Sequence, residues 1–315
     1  MPTSTPYDDA FRTLLNDCKP LILPVLNEAF GEHYTGTEHI EFLPNEHFLN
    51  QQDGNEEKRI TDSCFQVIDK AGTKKKYHVE SQSTPDSTIL VRIFEYDTQI
   101  ALDHGDVTEN TLTVIFPHSV VLFLRSTRKT PDEMTIRMIS PGGELSYRIP
   151  VVKMQNYHLK ELFEKKLYFL LPFYIFTHES RFRQYEQDAG QMECLLAEYT
   201  EIQEHLEKLQ ETGQMAYLTR QTIIDMTKRV LEHIAQHFHK VQEGVDSIMG
   251  GQILEYEAKN IWKEGKREGM REGRNEGQSD LVKSLLSLGT VAVEDIQRAT
   301  GWTKEKIESL RTAQG

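Results

Sequence analysis

The sequence predicts an α/β or α+β fold in which helices flank a mixed sheet and a helical region follows it. Three observations favour this class. A helical apolar stripe spans 7–30, and after it a short basic loop joins two strand-like runs, 62–68 and 76–82. A second amphipathic helix is expected over 88–103, ahead of further strands. From Tyr157 onward, strand patterns give way to helical ones.

The first helix contains Pro20 and Pro24, which we expect to break or kink it. Residues 38–50 read as a weak strand or loop, and Asp53-Gly54 marks a turn in the polar stretch that follows. After the second helix, further strands are expected at 111–116, 120–124, 134–140 and 145–152, with a turn at Pro141-Gly142-Gly143.

The second half of the chain is expected to be helical over 161–174 and 181–242, with Gly213 and Gly244 as breaks. Glu-Gly pairs then recur every four residues from Glu264 to Gly277. This spacing would line the glycines along one helix face, where a second helix could approach closely. A flexible charged linker is the alternative, because each glycine costs a helix about 1 kcal/mol.

Three short helices are expected in the tail, at 279–288, 293–300 and 303–310. The last two resemble a helix-turn-helix, with Thr303 as an N-cap and Ile296, Trp302 and Ile307 packed together. Such a unit could contact DNA or serve as a packing or dimerisation module. The expected organisation is therefore an α/β domain over 1–178, a helical region over 179–250, and the tail over 251–315.

The composition excludes several classes of protein. The net charge of −13 over 315 residues argues against a non-specific nucleic-acid coat protein, but it permits local contact with a few phosphates. The three cysteines are far apart and indicate neither a zinc site nor a disulfide framework. No secretion signal is evident, and the apolar run 167–176 is too short to span a membrane. We therefore expect a cytoplasmic protein.

The candidate catalytic residues lie on the hairpin formed by the runs 62–68 and 76–82. Side chains alternate along a strand, so Glu80 and Gln82 share a face, and a symmetric hairpin would place Asp62 opposite Gln82 and diagonal to Glu80. Two neighbouring carboxylates form an oxygen-rich site suited to Mg²⁺ or Mn²⁺, as metal-assisted phosphodiester hydrolysis requires. The alternative is that these acids are ordinary solvent-facing strand residues.

Several neighbours could assist at this site. Lys75 and Lys76 belong to a basic run that could meet phosphate, although lysines in a turn are usually just solvated. Arg92 and Tyr96 lie on the helix that follows and could fold back over the strand, or could belong to a solvated helix face. His78 shares the face of Glu80. A histidine in such a position more often has no catalytic role than acts as a general base.

Four short motifs occur in order along the chain: Asp9-Ala10-Phe11-Arg12, Arg59-Ile60-Thr61-Asp62, Glu80-Ser81-Gln82 and Arg92-Ile93-Phe94-Glu95-Tyr96. With the Glu-Gly tail that ends in Thr300-Gly301-Trp302, this order resembles the recombination-promoting nuclease and transposase family of the PD-(D/E)XK nuclease superfamily. The resemblance covers nearly the whole chain.

The resemblance implies an αβββαβ nuclease core with a four-stranded mixed sheet and Mg²⁺-dependent DNA cleavage. Asp62 matches the first metal-binding aspartate of the superfamily, and Glu80 matches the second acidic ligand. Gln82 stands where most of the superfamily has a lysine. Asp9 matches an accessory acid on the first helix, with Asp8 as a close competitor.

The resemblance also implies that Arg92 and Tyr96 form a family pattern on the helix after the site. Arg92 could supply positive charge that Gln82 lacks. The expected function is thus a metal-dependent DNA endonuclease associated with recombination or transposition. DNA is the expected partner, and the C-terminal helices are expected to form a homodimer or a higher homo-oligomer.

Two other functions remain open. The chain could be a non-catalytic DNA-binding or self-association protein on a nuclease-like scaffold. A glycoside hydrolase with Asp62 and Glu80 as acid and base ranks last, because the sequence contains nothing that resembles an aromatic sugar platform.

Overall fold

The computed structural model describes residues 5–43, 63–83, 86–103 and 105–250, together with the backbone of 46–50 and 56–60. In the tail it describes Val282, Leu286, Val293, Gln297 and Ile307, which are all helical; Val282 and Ile307 are buried. The chain divides into two compact units, Met1–Gly250 and Gly251–Gly315. The Glu-Gly pairs and most of the predicted helix-turn-helix lie outside the described residues.

The strands of the described residues are, in chain order, β1 (His39–Phe42), β2 (Glu46–Asn50), β3 (Glu56–Ile60), β4 (Ser63–Ile68), β5 (Lys74–Gln82), β6 (Asp106–Thr108), β7 (Thr111–Thr113), β8 (His118–Phe123), β9 (Glu133–Ser140) and β10 (Gly143–Lys153). Six of them form one mixed sheet in the order β1-β4-β5-β8-β10-β9. Strands β5, β8 and β10 are mutually parallel at its centre, and the outer neighbours pair antiparallel. A mixed α/β fold is therefore confirmed.

The helices of the described residues are α1 (Pro6–Asp17), α2 (Leu23–Phe30), α3 (Ile89–Asp103), α4 (Leu159–Glu164), α5 (Phe182–Gln187), α6 (Ala189–Glu211), α7 (Tyr217–Ile234) and α8 (His239–Met249). Segments of 3₁₀-helix occupy Lys19–Ile22, Met154–Asn156, Tyr168–Thr177 and Glu179–Arg181. None of the helices within the described residues is long and apolar enough to cross a membrane.

The expected break in the first helix is confirmed. Thr5 and Asp8 form a reciprocal capping box at the start of α1. Pro20 begins the 3₁₀ turn after α1, and Pro24 lies in the first turn of α2. Proline is tolerated in a first turn because its missing N–H has no helical partner there.

The hairpin between β4 and β5 is tighter than predicted. Ser63 pairs with Val79 and Ile68 with Lys74, so the register differs by two residues from a hairpin symmetric about 69–75. Asp69 Oδ1 accepts hydrogen bonds from the N–H groups of Ala71 and Thr73, both at 2.8 Å, which starts β5 at Lys74. An even shift leaves each side chain on its predicted face.

The sheet has two different faces. The main hydrophobic core lies on the face of Tyr77 and Val79, where α1, α7 and the 3₁₀ segment Tyr168–Thr177 pack. A smaller core lies on the opposite face under α3, and its members are Ile89, Ile93, Val121, Phe123 and Ile149. Since side chains alternate along β5, His78, Glu80 and Gln82 belong to this α3 face.

Two helical predictions need correction. The run 161–174 is not one helix: α4 ends at Glu164, and a 3₁₀ segment around Pro172 follows, buried along most of its length. Gly244 does not break a helix but lies within α8. A β-carbon there would clash with Met192 and Leu196 of α6, so glycine lets the two helices approach closely. Gly213, with φ +71°, does end α6 as predicted.

Candidate functional site

Glu80 is a buried carboxylate near the carboxyl end of β5, with 3% of its surface exposed. Its Oε1 accepts a short charged hydrogen bond from Arg92 Nη2 on α3. Its Oε2 faces Nε2 of His78 at 3.5 Å, and neither atom makes a hydrogen bond to a described residue. One buried oxygen of Glu80 is therefore open to a further ligand.

Arg92 connects Glu80 to the loop that precedes α3. Its Nη1 donates to Asp86 Oδ2 at 2.9 Å. Asp86 Oδ1 is held in turn by the backbone N–H and hydroxyl of Thr88, at 2.8 and 2.7 Å. The guanidinium thus lies between two carboxylates, and this fixes its orientation beside the end of β5.

Behind Glu80 lies a buried polar network centred on Asp97 of α3. His78 Nδ1–H donates to Asp97 Oδ1 at 2.8 Å, and Ser119 of β8 donates to the same oxygen at 2.7 Å. The hydroxyl of Tyr147 on β10 donates to Oδ2 at 3.2 Å. One helical carboxylate therefore joins three parallel strands on the α3 face.

The charged groups in this cluster shift one another's pKa values. Burial alone would lower the pKa of His78, but its hydrogen bond to Asp97 and the nearby carboxylate of Glu80 raise that pKa to about 9. Burial alone would raise the pKa of Glu80, but His78 and Arg92 outweigh it and hold that pKa below its usual value. At neutral pH the cluster consists of an imidazolium and a guanidinium that surround an ionised carboxylate.

Gln82 is buried on the same face and lies directly opposite Phe123 of β8. Beyond this pair lies an open cavity of about 800 Å³, at the carboxyl ends of the three parallel strands. Asp86 belongs to its wall, so the cavity adjoins the Glu80–Arg92–Asp86 chain. Ligands of open α/β sheets bind at this edge.

The other predicted site residues are more dispersed. Asp62 lies outside the described residues. Asp9 is exposed on α1, whose buried side chains join the main core on the other face of the sheet. Lys75 pairs with Glu32 at 2.7 Å and shares the face of Tyr77, away from Glu80. Lys76 is partly buried on the α3 face, four residues before Glu80.

Tyr96 was expected beside nucleic acid, but it is 6% exposed and packs edge-on against the ring of His78, with ring centroids 5.8 Å apart. The buried stripe of α3 thus includes Tyr96 and Asp97, whereas the apolar side chains of Leu90 and Phe94 are only partly buried. Tyr96 therefore packs against His78 inside the protein instead of lying at the surface.

Sequence reasoning missed Asp86, Asp97, Ser119 and Tyr147. One signal could have revealed Asp97: it lies four residues after Ile93 and four before Ala101, within the apolar stripe of α3. A carboxylate within an apolar stripe is buried with its helix face and requires partners. Ser119 and Tyr147 depend on which strands lie side by side, and Asp86 depends on the loop that brings it to Arg92.

The described residues contain no group of three or more histidine, cysteine, aspartate or glutamate side chains placed to hold a metal ion. Glu80, with its open Oε2, fits one ligand of such a site, and Asp62 is not among the residues searched. Neither a protein-family model, nor a curated protein, nor a solved structure matches this chain.

Proposed function

We propose that this protein is a metal-dependent DNA endonuclease of the PD-(D/E)XK type, associated with recombination or transposition and located in the cytoplasm. One observation carries the proposal. Glu80 is a buried, ionised carboxylate with an open oxygen, next to Gln82 on the central strand and clamped by Arg92. Burying such a charge is costly, and proteins keep one where it does chemistry or completes an ion pair.

The topology supports the same proposal. A helix (α1), three antiparallel strands (β1, β4 and β5), a further helix (α3) and a strand parallel to the third (β8) occur in this order along the chain, with α2 between α1 and β1. This is the order of an αβββαβ core, with β9 and β10 extending the sheet beyond it. The small pairs β2–β3 and β6–β7 are insertions between its elements.

The residues would divide the work as follows. Glu80, together with Asp62, would hold Mg²⁺ or Mn²⁺, which when bound polarises a phosphate and lowers the pKa of an attacking water. Gln82 would orient that water through its amide, without adding charge. Arg92 would turn its guanidinium from Asp86 toward the phosphoryl oxygens, and His78 would hold Glu80 in place.

The test is nicking of supercoiled plasmid in Mg²⁺, Mn²⁺ or EDTA. We expect cleavage by the parent in either metal and none in EDTA, and a loss of at least about 100-fold for Glu80→Gln, which keeps the side-chain shape but removes the charge. Glu95→Gln on the same helix as Arg92 is the matched control. Equal cleavage by parent and Glu80→Gln, both purified free of other nucleases, would overturn the proposal.

One observation favours the alternative of a non-catalytic DNA-binding or self-association protein. The charge of Glu80 is already compensated by Arg92 and His78, so the cluster is stable without a metal. Calorimetry with Mn²⁺ separates the two functions. The enzyme requires binding that Glu80→Gln abolishes, whereas the alternative requires no binding, and deletion of 252–315 would then remove DNA binding or self-association.

A further inference from the structure

The open cavity beside the candidate site has a composition of its own. Its floor is apolar, formed by Ile89, Phe123 and Met134 on the α3 face. Its rim is polar, with hydroxyl groups on the loops after β5 and β8. An apolar floor beneath a few placed polar groups is the usual makeup of a site for a small organic ligand, and about 800 Å³ is within the usual size range.

One cation on the cavity wall has no ion-pair partner among the described residues. Asp86 is paired with Arg92, and Glu179 is paired with Arg125 through two hydrogen bonds of 2.6 and 2.8 Å. Lys129, also on the wall, is exposed and forms no ion pair with another described residue. The cavity therefore offers an apolar surface for a flat ring and a single positive charge for an anion.

The position of the cavity connects it to Glu80. Gln82 and Phe123 are register partners on adjacent strands, which lie about 4.8 Å apart, so the floor begins beside Gln82. Arg92 contacts both Glu80 and the wall residue Asp86. Arg92 thus links Glu80 to the wall of the cavity.

We propose that this cavity binds one nucleotide unit of single-stranded DNA, with its base over Phe123 and Met134 and its phosphate at Lys129. The inference rests on the proposed function, since it names the strand that Glu80 would act on. A base in a duplex is stacked and paired and cannot enter a cavity of this size, whereas an unpaired base can. The net charge of −13 disfavours a long backbone contact, so a single-nucleotide site suits the molecule.

The experiment uses the full chain in EDTA, so that binding is measured without cleavage. Fluorescence anisotropy compares a labelled thymidine hexamer with a labelled DNA hairpin whose stem stays paired in the assay, and unlabelled thymidine monophosphate is added as a competitor. We expect the hexamer to bind at least about tenfold more tightly than the hairpin, and we expect thymidine monophosphate to displace it, since the site takes one nucleotide. The slope of log K against log salt should be about −0.7 to −1.4, as one or two phosphate contacts require.

Two variants test the cavity itself. Lys129→Gln removes the unpaired charge. Its control is Arg128→Gln, which removes the same charge from the neighbouring exposed residue outside the cavity wall. Ser87→Trp fills the mouth, and Ser146→Trp on exposed β10 is its control. We expect a loss of about fivefold or more in hexamer affinity for the first of each pair, and less than about twofold for each control.

The outcomes are separable from those of the cleavage assay. Equal affinity for hairpin and hexamer, failure of thymidine monophosphate to displace the hexamer, or no effect of both Lys129→Gln and Ser87→Trp would each overturn this inference, even if the parent cleaves plasmid. Absence of metal-dependent cleavage with the expected binding pattern would overturn the proposed function and leave the nucleotide site standing.

Discussion

Asp97 is the side chain on which the buried polar face of the sheet depends. Its carboxylate is fully buried on α3 and accepts hydrogen bonds from His78, Ser119 and Tyr147. Each donor comes from a different parallel strand, so one residue sets the position of α3 across β5, β8 and β10. Removing one member of a buried charged pair leaves the other uncompensated, which costs more than an ordinary hydrogen bond.

Asp97→Asn should therefore destabilise the protein by about 2–4 kcal/mol, because the charged partner of His78 disappears and an amide N–H₂ group faces hydrogen-bond donors. Urea unfolding in EDTA at pH 7 measures the change. Ser119→Ala, which removes one donor and leaves the carboxylate paired with His78, should cost only about 1 kcal/mol. If Asp97→Asn is as stable as Ser119→Ala, the carboxylate of Asp97 does not compensate the charge of His78.

At the residue scale, the sequence predicts which face of the sheet a strand residue occupies better than it predicts which residues of a helix are buried. The placement of Glu80 and Gln82 on one face follows from the period of two and holds in the structure. The burial of Tyr96 does not follow from its sequence, because the rotation of α3 about its axis is set by Asp97 meeting His78 and Ser119. Those contacts join residues far apart in the chain.

The β4–β5 hairpin is the element that presents Glu80, and its turn has specific requirements. Gly72 adopts φ +80°, a left-handed conformation that other residues enter at a cost. A β-carbon at Gly72 would meet nothing within 4 Å, so backbone strain is the sole penalty of a small side chain there. Gly142, in the β9–β10 turn, has no positive φ and is similarly open, with Ser140 at 3.9 Å.

Gly72→Ala should consequently lower the free energy of unfolding by about 1 kcal/mol, whereas Gly142→Ala should change it by less than about 0.5 kcal/mol. Thermal or urea unfolding of the two variants beside the parent checks this pair. A neutral Gly72→Ala would show that the turn can adopt another conformation, and the β5 register would then have to be set elsewhere.

At the element scale, turn and proline signals located several boundaries of the described elements. The break at Pro20 and Pro24 and the hairpin at 141–143 are local properties of the chain. The exact register of β4 with β5 depends on hydrogen bonds of Asp69 within the turn. The role of Gly244 depends on the closeness of α6, which lies some fifty residues earlier in the chain and cannot be read locally.

On the scale of the whole molecule, the main core extends across the expected boundary at residue 178. Tyr7 of α1 stacks edge-on against His233 of α7, with ring centroids 5.0 Å apart. Phe11 packs edge-on against Phe169 at 5.3 Å, and α7 covers the 3₁₀ segment that contains Phe169. Members of this core reach from Tyr7 to Met249, so the sheet and the helices after residue 179 share one interior.

A fragment of residues 1–178 should therefore fail to fold, while a fragment of residues 1–250 should unfold cooperatively. Loss of α5–α8 would expose buried rings such as Phe11, Phe169 and Phe176, at about 1.5–3 kcal/mol for each large apolar side chain. Four or five such side chains approach the whole stability of a typical domain, about 5–15 kcal/mol. Circular dichroism with thermal unfolding distinguishes the fragments, and a cooperative transition in 1–178 would show that this part of the chain folds independently.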